Sequence, residues 1–149
     1  MDGMMDMVFF SASLTLSLLL LTASPTADAP APDTMARRTL LTIIETRPDA
    51  FSYEFLGMPR TLRFKSYGQL LSELALLGFP PEFQDRLVGE LEKLLDNLLP
   101  SRYRLTFRAG ARSLEVGKGG SRLLCQEWIP LTVPSLPPLR AELKLELFA

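Results

Sequence analysis

Histidine does not occur in this 149-residue chain, and cysteine occurs once, at Cys125. Without histidine there is no imidazole to act as a general base near neutral pH, and the commonest zinc and copper ligand is missing. Nucleophile pairs of the Ser–His or Cys–His kind cannot be built within the chain. A single cysteine excludes an internal disulfide, a thiolate zinc cluster and a Cys-x-x-Cys redox pair. It leaves the redox compartment open, and in a strand core its thiol behaves as a small, inert hydrophobe. A large excess of either charge is also missing, because 16 basic residues stand against 17 acidic ones. No global field therefore recruits nucleic acid or an anionic membrane. Asp2, Asp6, Asp28 and Asp33 all precede Met35, so residues 35–149 carry 16 basic against 13 acidic residues, a surplus of 3.

What is present suits one domain. The apolar fraction of 47% is enough to close a single core. Met7 to Ala23 is a run of 17 residues without a charge, at the short edge for spanning a bilayer. Three readings of it stay open. As a secretory signal or anchor it has the apolar stretch but no basic residue before it, and its small-x-small site, Ala27-Asp28-Ala29, is followed by Pro30. An uncleaved anchor would leave its C-terminal side in the cytoplasm, since the first basic residues are Arg37 and Arg38. Alternation of Ser11, Ser13, Thr15 and Ser17 with Ala12, Leu14, Leu16 and Leu18 instead fits a half-buried strand. Met35-Ala36-Arg37-Arg38 also reads as an alternative start. Pro25, Pro30 and Pro32 mark residues 24–34 as a linker. The expected division is an apolar segment plus linker over 1–34 and one domain over 35–149. The domain is cytoplasmic if the chain starts at Met35, and exported or membrane-anchored otherwise.

Within the domain three short strands are expected first. Leu40–Thr46 is β-branched and apolar, Phe51, Tyr53 and Phe55 alternate with Ser52 and Glu54, and Leu62 and Phe64 continue the pattern. The period then changes to that of helices. Ser66 and Gln69 have capping-box spacing, Leu70, Leu71, Leu74 and Leu77 form a stripe, and Gly78 can end it. Pro81 restarts the chain, and Phe83, Leu87, Val88, Leu91, Leu94, Leu95 and Leu98 form the apolar side of a second helix that Pro100 ends. From Tyr103 the pattern is β again. Tyr103, Leu105 and Phe107 alternate with Arg104, Thr106 and Arg108, and Leu114 and Val116 lead to a "GKGG" turn read as a tight hairpin. The run 121–129 continues as a strand, residues 130–138 read as a proline-rich loop or crossover, and Leu139–Leu147 alternates cleanly. The fold class implied is α+β: an antiparallel β-sheet of meanders covered on one face by a two-helix hairpin.

The sharpest functional feature is the stretch 101–122. It holds Arg102, Arg104, Arg108, Arg112, Lys118 and Arg122 against Glu115 alone, a local charge of +5. On a strand Arg102, Arg104 and Arg108 share one face, which a phosphate backbone or another anion could use. Tyr103 and Phe107 have the opposite parity, so they cannot stack bases on that surface. Glu142 and Glu146 could lie beside the arginines as cross-strand partners. The glycine-rich "VGKGGS" lacks the spacing and following helix of a phosphate loop. "PSLPPLR" holds one P-x-x-P, and a rigid connection between strands accounts for it. Trp128 is read as closing a sheet end, with an exposed anchor as the other possibility. The leucine stripes read as ordinary packing on the sheet rather than a partner groove, and Asp85 and Glu92 as solvated helix charges rather than metal ligands.

These features lead to a small, non-catalytic accessory domain that binds a protein partner or a second copy of itself. The alternative is polyanion or nucleic-acid binding through Arg102, Arg104, Arg108, Arg112, Lys118 and Arg122. A third reading is an exported or membrane-anchored envelope protein, with a membrane contact only if residues 7–23 are retained. No catalytic, cofactor or metal site is expected.

Overall fold

The computed structural model describes residues 31–149. The apolar segment Met7–Ala23, the alternation within it and linker residues 24–30 lie outside the described residues. The element order is α1 (Pro32–Glu45), β1 (Ala50–Phe55), β2 (Met58–Arg63), α2 (Tyr67–Leu76), α3 (Pro81–Leu98), β3 (Arg102–Ala109), β4 (Arg112–Val116), β5 (Leu123–Val133) and β6 (Leu139–Phe148). The fold is α+β with antiparallel sheets, as the periodicities imply, and Pro32–Ala149 form one compact unit.

The first element differs from its expectation. Leu40–Thr46 is not a strand, because its greater part is the C-terminal half of α1, and residues 32–34 are helix rather than linker. Local β-branching favours a strand, but a helical stripe wins. Ala36, Leu40 and Ile43 recur at spacings of four and three, and all are fully buried. The threonine hydroxyls are satisfied inside the helix: Thr39 donates to the Met35 carbonyl at 2.8 Å and Thr42 to the Arg38 carbonyl at 2.8 Å.

α2 and α3 follow the sequence closely. The Gln69 amide donates to the Ser66 hydroxyl at 3.2 Å, and the Ser66 amide to Gln69 Oε1 at 2.8 Å, completing the capping box. Gly78 leaves α2 in the left-handed region at φ +77°. Phe83, Leu87, Leu91 and Leu95 line α3 at four-residue steps and are fully buried. β1 and β2 form a separate two-stranded hairpin joined at Leu56–Gly57, both with positive φ. Phe51 and Tyr53 pin this hairpin to α3, with ring centroids 4.9 and 4.6 Å from Phe83.

The four-stranded sheet has the order β4-β3-β6-β5, antiparallel throughout. Tyr103, Leu105, Phe107, Leu114, Val116, Leu143, Leu145 and Leu147 point to one side and are buried. The helices pack on that side, α1 against β5 and β6 and α3 against β4. Two loop expectations are corrected by this order. The "GKGG" segment does not close a hairpin, because β4 and β5 are opposite edges of the sheet and residues 117–122 must cross the ends of β3 and β6. Its glycines are required by that path: a Cβ on Gly117 would stand 2.5 Å from the Tyr103 carbonyl oxygen, and one on Gly120 2.8 Å from Phe148 Cβ. Residues 130–133 are strand rather than loop. Pro130 is tolerated there because β5 is an edge strand.

Candidate functional site

The side of the four-stranded sheet away from the helices carries the charges. Across the rows, Arg104 lies opposite Glu146 and Arg108 opposite Glu142 on β6, while Lys144 lies opposite Trp128 and Arg140 opposite Thr132 on β5. Alternation along each strand produces this separation: every second residue of β3 and β6 enters the core, and those between them face outward. Arg102, Arg104, Arg108, Arg140 and Lys144 face Glu115, Glu142 and Glu146 over this surface.

One end of the surface is closed on itself. Arg104 Nε stands 3.1 Å from Glu115 Oε1, off the hydrogen-bonding direction, so the contact is an ion pair rather than a bond. Its Nη1 is 3.9 Å from Glu146, which also holds Lys144 Nζ at 3.7 Å. The guanidinium lies 5.5 Å from the centre of the Phe148 ring, and Gly119 of the crossing segment fits against both side chains. Phe148 is buried by this cover although it follows the outward-facing parity of Glu146.

The other end is open. A shallow groove of about 590 Å³ is lined there by Arg108, Trp128, Pro130, Thr132, Arg140 and Glu142. Among the described residues neither Arg108 nor Arg140 has a carboxylate within 4.0 Å. Trp128 is 58% exposed, so it does not close the core. Its parity is that of Gln126 and Pro130, opposite to buried Cys125.

The six basic residues singled out in the sequence are therefore divided. Arg102, Arg104 and Arg108 share the outward face, and their cross-strand neighbours on β6 are Phe148, Glu146 and Glu142 in turn. Arg112 has the parity of buried Leu114 and turns to the helix side, where its guanidinium donates to the Gly78 carbonyl at the end of α2. Lys118 is exposed on the crossing segment, and exposed Arg122 accepts the Ala149 amide at its carbonyl at 2.9 Å. Arg140 and Trp128 complete the open end. Arg140 was legible from the alternation of β6, and Trp128 from its parity against Cys125.

Other reactive groups are subdued. Burial pushes the Cys125 thiol pKa up, and Asp33 and Glu127 push it further. The Tyr103 hydroxyl donates to Asp96 Oδ1 at 2.7 Å, and desolvation together with that carboxylate moves its pKa well above the usual tyrosine range. Among the described residues, no group of three or more Asp, Glu, Cys or His side chains is placed to hold a metal ion. No helix among them is long and apolar enough to cross a membrane. Comparison with protein-family models, curated proteins and solved structures finds no match for this chain.

Proposed function

We propose that this chain is a non-catalytic interaction domain that binds a protein partner through the open end of its outward sheet face. The observation that carries the reading is Trp128, 58% exposed in a groove that it shares with Arg108 and Arg140, two arginines that have no carboxylate within 4.0 Å among the described residues. Tryptophan and arginine concentrate binding energy at protein interfaces, because a large flat ring and a rigid donor fork lose little freedom on docking. Against polyanion binding stands the engagement of Arg104 at the centre of the basic strand, together with the inward turn of Arg112. A phosphate backbone would meet Glu115, Glu142 and Glu146 on the same surface.

The test uses photo-crosslinking residues placed at Thr132 on the open face and, separately, at Arg86 on α3. A partner trapped from Thr132 is then purified and its affinity measured directly. Trp128→Ala is expected to weaken binding by about tenfold or more. A partner trapped only from Arg86, or an affinity unmoved by Trp128→Ala, overturns the reading.

A further inference from the structure

Resting on that reading, we infer that the segment bound at the open end is an extended acidic peptide, with two acidic residues two positions apart and an apolar residue beside them. The spacing comes from the register. Arg108 lies opposite Glu142, and Arg140 is two residues along β6 from Glu142 on the same face. Diagonal neighbours of this kind have Cα atoms about 7–8 Å apart. In an extended chain, residues two apart stand on one side, about 6.5–7 Å from each other. Carboxylates at such positions can each reach one arginine.

Glu142 sets the chemistry more sharply than the arginines alone. It lies directly opposite Arg108 and is exposed in the floor of the groove. A single compact dianion such as a phosphate would be drawn to the arginines and repelled at close range by Glu142. Two separate monoanionic side chains can stand on either side of it, one toward each arginine. Beyond this charged part, Trp128 and Pro130 form an exposed apolar ledge on β5. A proline or aliphatic side chain next to the acidic pair can cover it, and flat aromatic–proline contact costs an extended segment little additional ordering.

The closed end explains the selectivity. Arg104 is already neutralised by Glu115 and Glu146 and lies beside the Phe148 ring, so an incoming carboxylate has to compete with existing ion pairs there. Arg102 and Arg122 do not line the groove, so the acidic peptide should depend on Arg108 and Arg140 and be indifferent to that second pair.

A library of random displayed peptides panned on the full chain tests this. A synthetic copy of the strongest binder is then titrated while following Trp128, the only tryptophan in the protein. Enriched sequences should carry the acid-x-acid spacing with a neighbouring proline or aliphatic residue, and binding should move the Trp128 emission. Arg108→Gln combined with Arg140→Gln should weaken the peptide by about tenfold or more. Arg102→Gln combined with Arg122→Gln should leave it within about twofold. All four arginines are exposed or half-exposed, and an unchanged thermal midpoint verifies that each variant is folded. Panning that enriches nothing, enrichment without acidic residues, or equal loss in both double variants overturns the inference. So does inorganic phosphate or heparin competing through Arg102 and Arg122. A partner trapped from Thr132 that needs Trp128 but contacts it through a non-acidic segment sinks the inference and leaves the interaction reading standing. A partner unaffected by Trp128→Ala sinks both.

Discussion

Arg104 and Arg108 stand four residues apart on the same face of β3, yet one is spent and the other is available. Arg104 is held by Glu115 at 3.1 Å, by Glu146 at 3.9 Å and by the Phe148 ring, under a glycine segment that folds over it. Arg108 has Glu142 opposite but no carboxylate within 4.0 Å among the described residues, and an exposed tryptophan shares its groove. Residue type and strand parity are the same at both positions. The difference is topological. Because β4 and β5 are opposite edges, the segment joining them must cross one end of β3 and β6, and only that end is covered. A basic strand is therefore not one surface, and its chemistry depends on which end the connections leave uncovered.

The largest expected effects set the two faces of β3 against each other at adjacent positions. Phe107 is 1% exposed and its ring lies 6.0 Å from that of Phe79, so Phe107→Ala should cost about 3–5 kcal/mol in denaturant unfolding. Arg108→Ala, one residue on, should change stability by no more than about 0.5 kcal/mol. Comparable losses at both positions would mean that the outward face is not open.

The next effect concerns the covered end. Gly117 has φ +87°, and a Cβ there would stand 2.5 Å from the Tyr103 carbonyl oxygen. Gly110 in the β3–β4 turn also has positive φ, at +62°, but its nearest contact is Leu139 Cδ1 at 3.9 Å. Gly110→Ala should cost about 1 kcal/mol for the left-handed backbone alone. Gly117→Ala should cost clearly more, because the crossing segment must also lift from β3. Equal costs would show that close approach is not what holds this segment down.

Tyr103 links the covered end to α3, and its effect is smaller and depends on pH. Replacing it by Phe removes the bond to Asp96 and should cost about 1 kcal/mol near neutrality. Its raised pKa means the folded protein holds this proton more tightly than the unfolded chain does. Stability is therefore fully present below the ordinary tyrosine pKa and falls as pH rises beyond about 10. Tyr103→Phe should flatten that alkaline fall. Tyr67, whose pKa is also raised by burial and by Glu90, should account for part of what remains. An alkaline unfolding profile unchanged by Tyr103→Phe would contradict the role given to the Asp96 bond.

Much of this arrangement was readable in the residues. The two helices, the capping box at Ser66, the inward parity of Tyr103 and Phe107 and the outward parity of Arg104, Arg108, Glu142 and Glu146 all follow from local period. What was not readable depends on contacts distant in sequence. Leu40–Thr46 has β-branched content, and only a window reaching back to Ala36 reveals the helical stripe. The "GKGG" segment has hairpin composition, and only the strand order, set by β3 pairing with β6 rather than β4 with β5, turns it into a crossing. Residue type alone points Trp128 to the core. Its alternation with Cys125 placed it outside, and that local signal was available. The division of the six basic residues required both the strand order and the reach of Arg112 to Gly78.

The smallest expected effect is the one that bears most directly on the comparison. Glu146 is only partly exposed and touches both Arg104 and Lys144. Glu146→Gln should alter stability by no more than about 1 kcal/mol, since its contacts to Arg104 and Lys144 are long, at 3.9 and 3.7 Å, both cations stay partly exposed, and the amide keeps the shape. It should also strengthen acidic-peptide binding slightly, by less than about threefold, because a negative charge beside the groove is removed while Glu115 and the Phe148 ring still hold Arg104. If Glu146→Gln instead made binding depend on Arg104 as strongly as on Arg108, measured by adding Arg104→Gln to it, then one carboxylate alone would separate the two ends. The covering segment would then be incidental. If Arg104 stays silent in that background, cover and charge together close this end, and the open groove at Trp128 is what the topology leaves for a partner.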